Sequence, residues 1–161
     1  MRTLSRCALI ILFASTACPG GGGGADGGDL TGVWQYQQGS FSFVNCYISS
    51  TTVELTRSGF QIVDEAGKLV RTNPDGCRFT IMPTTARHAS GVVGEQCTTH
   101  GTDLLGNPQT TVYTVKSLLL ELKPDDASEM IEVFSIGADQ TTTLGTVTCE
   151  ISGNNTLDRA P

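Results

Sequence analysis

The sequence predicts an all-β domain: a small antiparallel up-and-down barrel of about 8–10 strands, with a β-sandwich as the alternative. Three observations predict it. Charged residues make up only 16% of the chain, while threonine, serine, glycine and valine are abundant, a mixture that suits strands and tight turns. Apolar and polar residues alternate over short runs, as in Phe60-Gln61-Ile62, the period of a half-buried strand. Turn signals recur closely, among them Arg57-Ser58-Gly59, Glu65-Ala66-Gly67-Lys68 and Asn73-Pro74-Asp75-Gly76. With no convincing helix, a barrel is favoured because closure removes exposed edges.

In chain order, the first segment lies outside that domain. Met1 to Arg6 carries Arg2 and Arg6 and no acid, and Cys7 to Ala14 is a short apolar run. A positive start, about 7–15 apolar residues and small residues behind them make a secretory signal peptide over residues 1–17. A spanning helix needs roughly 20 apolar residues. Ser15-Thr16-Ala17 fits an ordinary signal-peptidase cut ahead of Cys18. Small residues directly before a cysteine also resemble the lipobox of bacterial lipoproteins, with Ser15 standing where leucine is usual. That resemblance implies that Cys18 becomes the N-terminus and carries acyl chains such as palmitate.

Residues 18–29 read as a tether. Pro19 to Asp29 is glycine-rich with nothing to bury, a flexible coil with a reach of roughly 18–20 Å. In lipoproteins of the resembled kind an aspartate just after the cysteine retains the protein in the inner membrane. Pro19 stands there, so the resemblance implies the outer membrane of a two-membrane cell, with the face left open.

Residues 30–161 form the β domain. Without Arg2 and Arg6, eight basic residues face sixteen acidic ones, a net charge of −8. Such a surface repels phosphate backbones, which excludes nucleic acid as the expected partner. The strand candidates are Leu30–Tyr36, Phe41–Ile48, Thr51–Thr56, Gly59–Asp64, Lys68–Thr72, Cys77–Met82 and Thr85–Ser90. Gly91 to Pro108 reads as a looser, loop-like segment. Thr110–Lys123 is the longest strand-like run, with Leu118, Leu120 and Leu122 on one face. Pro124 to Glu129 reads as a loop or a single helical turn, Met130–Ile136 and Thr142–Ile151 as strands, and Gly153-Asn154-Asn155 as the lead into a tail.

Of six cysteines, Cys7 leaves with the signal peptide, and lipidation of Cys18 leaves an even set: Cys46, Cys77, Cys97 and Cys149. Four cysteines allow three pairings. The favoured one joins Cys77 to Cys97 around a local hairpin. It also joins Cys46 to Cys149, an early strand to the last, which neighbour each other in a closed barrel. A zinc alternative would use Cys97-Thr98-Thr99-His100 with His88, but further ligands at metal spacing are missing.

Gly32-Val33-Trp34, preceded by leucine, resembles the Gly-x-Trp signature that opens lipocalin-like barrels. The resemblance implies a basic residue near the C-terminus packed on the tryptophan, and Arg159 is the candidate. Some periplasmic protease inhibitors on small barrels also open with Leu-x-Gly-x-Trp.

The catalytic inventory is thin. The chain has no Gly-x-Ser-x-Gly elbow and no His-Glu-x-x-His pair. Asp125, Asp126, Glu129 and Glu132 cluster in sequence without the spacing of a calcium loop and read as a solvated loop. The expectation is a membrane-anchored, non-catalytic module without a cofactor, binding a small apolar ligand or an envelope partner. The alternative is an inhibitor or interaction protein acting through loops such as Gly91 to Pro108.

Overall fold

The computed structural model describes residues 30–46, 52–54 (backbone pairing only), 59–103 and 106–161. The signal peptide, Cys18 and the tether lie outside the described residues. The strands are β1 (Gly32–Val44), β2 (Thr52–Glu54), β3 (Gly59–Glu65), β4 (Lys68–Thr72) and β5 (Arg78–Pro83). They continue with β6 (His88–Gly91), β7 (Gln96–Thr102), β8 (Pro108–Lys123), β9 (Asp126–Thr142) and β10 (Gly145–Arg159). All pair antiparallel in one sheet that closes on itself where β10 meets β1. The architecture is therefore all-β and barrel-like, with a single sheet where a sandwich would have two.

The ring runs β1–β3–β4–β5–β6–β8–β9–β10 and back to β1. It departs from a simple meander at two strands. Short β2 pairs with the upper part of β1 (Ser40 to Ser42), while β3 pairs with its lower part (Gly32 to Gln35). Likewise β7 pairs with upper β8 (Pro108 to Thr114) and β6 with lower β8 (Leu119 to Glu121). The four long strands β1, β8, β9 and β10 thus rise above β3 to β6, and their upper halves, flanked by β2 and β7, form a wall.

Two bulges set which side chains that wall turns inward. In β1, Trp34 and Tyr36 face the interior; a register shift between Tyr36 and Gln38 then brings Phe41 and Phe43 to the same side. In β8, Leu118, Leu120 and Leu122 are inward, and the shift between Val115 and Ser117 turns Val115, Tyr113 and Thr111 inward above them. A bulge adds one residue to a strand and so reverses the inward–outward parity of the residues beyond it. The sequence signal of two separate strands, Leu30–Tyr36 and Phe41–Ile48, is over Gly32–Val44 one strand interrupted by such a bulge, and Tyr47 and Ile48 lie outside the described residues.

Other expectations are corrected. Pro124 and Asp125 form a tight turn, and strand resumes at Asp126, so no helical turn stands there. β9 continues to Thr142, and β10 runs through Gly153-Asn154-Asn155 to Arg159. Length explains this: the long hairpin β9–β10 stays paired from Gly145 with Thr142 to Asp158 with Glu129. Within Gly91 to Pro108, Gln96–Thr102 is strand β7. It is held by the ladder to β8 and by Glu95, whose carboxylate accepts from Thr80 N (2.6 Å) and Thr80 Oγ1 (2.8 Å).

The hairpin β3–β4 turns through Ala66 (φ 55°) and Gly67 (φ 84°). Positive φ at both central residues is the turn that matches strand twist, and Asp64 Oδ1 accepts from Gly67 N at 2.7 Å. The core fills the lower ring, with Leu30, Trp34, Ile62, Leu122, Met130 and Leu157 all essentially inaccessible. Burial of each such side chain stabilises by about 1.5–3 kcal/mol.

Candidate functional site

Above this apolar plug lies a layer of polar groups sealed from water. Arg71 on β4 is 5% exposed, Glu132 on β9 0% and Asn155 on β10 1%. Arg71 Nη1 and Glu132 Oε1 close at 2.5 Å as an ion pair, off the hydrogen-bonding direction. The Tyr36 hydroxyl donates to Glu132 Oε2 at 2.9 Å, and Asn155 Nδ2 donates to the same oxygen at 3.0 Å. Arg71 Nη2 donates in turn to Tyr36 Oη at 3.3 Å. The guanidinium also lies 4.0 Å over the Phe60 ring. Burial, and then the Glu132 carboxylate, push the Tyr36 hydroxyl far above its ordinary range. It therefore stays protonated and acts as a donor.

Register explains the layer. Asn155 pairs with Glu132, and Glu132 with Leu120, so each sits at an inward position one step above Leu157 and Met130. Desolvating two charges costs several kcal/mol each, which their attraction offsets only when the remaining groups are hydrogen-bonded. Tyr36 and Asn155 meet that condition for Glu132.

Over this layer opens a cavity of about 290 Å³, bounded by Tyr36, Phe41, Phe43, Phe79, Tyr113, Phe134, Ile136 and Ile151, with Arg71 at its base. The β4–β5 turn, Asn73 to Asp75, forms its near side. Phe41 meets Phe134 edge to face at 5.2 Å, and Gly153 makes this contact possible. A Cβ there would lie 2.6 Å from Phe134 and 2.9 Å from Phe41. Ligand cavities are commonly about 300–1,000 Å³, mostly apolar with a few polar groups, and this one sits at the lower end of that range.

Cys46 is bonded to Cys149, and Cys77 to Cys97. Cys149 lies on β10 next to the end of β1, so one bridge ties the top of the wall. The other ties the beginning of β7 to the residue before β5, beside the Asn73–Asp75 turn, where Cys77 N donates to Asp75 Oδ1 at 2.9 Å. Trp34 and Arg159 stand opposite each other in the β1–β10 register, with Arg159 Cζ 4.8 Å from the indole ring. Trp34 Nε1 donates to Leu30 O at 2.9 Å, and Arg159 Nη2 donates to Ala127 O at 3.3 Å. The pair lies at the end of the ring away from the cavity.

The residues of the zinc alternative are spread apart. His88 faces Glu121 and His100 faces Thr110. Those partners are eleven residues apart along β8, roughly 35 Å of strand. Cys97 is already bonded to Cys77, and among the described residues no group of His, Cys, Asp and Glu is placed to hold a metal ion.

The acidic cluster divides: Asp125 and Asp126 are exposed at the turn as expected, and Glu132 is the correction. Asp126 is capped by Ser128, Glu129 pairs with Lys123, and Glu132 points into the core. Arg71, Glu132, Tyr36 and Asn155 were not legible as a unit. The one available signal was alternation: Glu132 falls between Met130 and Phe134, and Arg71 falls two residues after Leu69. Against known proteins, no protein-family model, no curated protein and no solved structure matches the chain.

Proposed function

We propose that the protein is a lipid-anchored component of the bacterial envelope, tethered through Cys18 at the outer membrane, whose β domain binds a small apolar ligand without transforming it. The observation that carries the binding reading is the aromatic cavity of about 290 Å³ above the sealed Arg71–Glu132 layer. Its support is chemical. The lining is dominated by rings, and the ionisable groups at its base are engaged with one another rather than poised beside a nucleophile. The anchor rests on the small residues before Cys18 and the glycine-rich stretch after it.

Two experiments test the two halves. Mass spectrometry of the mature N-terminal peptide should find acylated Cys18, and Cys18→Ser should move the protein from the membrane to the soluble fraction. An unmodified cysteine in a wholly soluble product would remove the anchor. For the cavity, the Cys18→Ser chain, otherwise complete and with both disulfides formed, is titrated with the neutral fluorophore N-phenyl-1-naphthylamine. Binding should be saturable at one site and weakened about tenfold or more by Ile151→Trp, which fills the space. Equal binding by a folded Ile151→Trp chain would sink the reading.

A further inference from the structure

Resting on that ligand-binding reading, we propose that the ligand is an uncharged aromatic molecule of about two to three rings and that the cavity discriminates against anions. Two observations lead there.

Size comes first. A dry protein cavity of about 150 Å³ holds benzene. A space of about 290 Å³ therefore accepts a ring system roughly twice as large. The lining also suits flat molecules. Phe41 meets Tyr36, Phe43 and Phe134 with interplanar angles of 86°, 87° and 77°. Rings set at right angles offer both edges and faces, the two approaches that aromatic partners prefer.

Charge is decisive. Among the described lining residues, Arg71 is the cation and Asp75 the anion. The charge on Arg71 is already met by Glu132 at 2.5 Å, below the cavity floor. Arg71, Glu132 and Asp75 together leave an excess of one negative charge. A carboxylate or sulfonate entering here would be desolvated without a counter-charge, which is strongly unfavourable. A buried arginine would ordinarily mark a site for an acidic head group; the carboxylate behind this one removes that function.

The test uses two fluorophores with the same ring skeleton: N-phenyl-1-naphthylamine, which is neutral, and 8-anilino-1-naphthalenesulfonate, which carries one sulfonate. Each is titrated into the Cys18→Ser chain with both disulfides formed. The neutral probe should bind at least about tenfold more tightly, a difference of about 1.4 kcal/mol. Glu132→Gln uncovers the guanidinium charge and should reverse or abolish that preference. Should Glu132→Gln fail to fold, Asp75→Asn on the rim serves instead. It should raise sulfonate affinity severalfold at low salt, a larger change than in the affinity of the neutral probe. Tighter or equal binding of the sulfonate by the parent chain overturns the charge discrimination while leaving the cavity as a binding site. An unresponsive Asp75→Asn likewise overturns the discrimination. Failure of both probes to bind overturns the ligand-binding reading together with this one.

Discussion

Arg71 and Glu132 meet at 2.5 Å across the interior, one from a short strand and one from a long one, with neither side chain more than 6% exposed. This contact fastens the β3–β6 side of the ring to the tall wall beneath the cavity. Removing one partner of such a pair strands a buried charge and costs about 3–5 kcal/mol. Glu132→Gln should therefore lose about 3 kcal/mol or more in urea denaturation. The double variant Arg71→Met with Glu132→Gln should recover part of that loss, because no charge is left buried.

Alkaline pH should expose the same layer. In the unfolded chain tyrosine ionises near pH 10, whereas Tyr36 in the fold is held protonated well above that by burial and by Glu132. Below about pH 10 both states keep the proton and the contribution is whole. Above it the unfolded chain gives up its proton and the folded one does not, so stability falls by about 1.4 kcal/mol per pH unit. Tyr36→Phe should be less stable at pH 7 but show a shallower decline between about pH 10 and 11.5. Tyr113, also raised by burial, contributes the residual slope in both proteins.

Gly153 is a packing position rather than a hinge. Gly153→Ala places a methyl group 2.6 Å from Phe134 and 2.9 Å from Phe41, and overpacking of this kind costs about 1–3 kcal/mol. The displaced rings should narrow the cavity. Melting temperature and N-phenyl-1-naphthylamine affinity should fall together. An unchanged affinity would show that neither ring borders the bound probe.

The two disulfides should contribute unequally. Cys46 and Cys149 are 103 residues apart, Cys77 and Cys97 only 20. Loop-closure entropy gives about 4.7 kcal/mol for a hundred-residue loop and about 3 kcal/mol for a short one. Paired Cys→Ala substitutions, compared by urea denaturation, should show the larger loss for the first pair.

Trp34 is the only tryptophan in the chain, so its emission reports on the closed end alone. Arg159→Ala removes the guanidinium that lies 4.8 Å from its ring and should cost about 0.5–2 kcal/mol with a red shift in emission. Arg159→Lys should recover part of the stability, since an ammonium ion retains attraction for the indole face. Binding at the far cavity should not change.

Local chemistry made much of the ring legible. The Glu65-Ala66-Gly67-Lys68 turn, the alternation at Phe60 and Ile62, and the leucines of β8 each speak through neighbours one to four residues away. Bulges do not. Nothing local marks the extra residue between Tyr36 and Gln38, yet it decides that Phe41 and Phe43 share an interior with Trp34. Glu132 misleads for a related reason. Beside Asp125, Asp126 and Glu129 it resembles a solvated acid, and only pairing with Leu120 and Asn155 turns it inward toward Arg71, which is 61 residues away in the chain.

By itself, the sequence determined that this protein is a β domain with short polar turns, an acidic surface and an even set of cysteines after residue 18. These come from composition and from interactions between near neighbours, which survive any arrangement of the strands. Tertiary structure alone decided where the sheet closes, which acid is buried, and that a ring-lined space stands over a neutralised arginine. Those depend on register between distant strands. A one-residue shift in register exchanges the inside of a sheet for its outside.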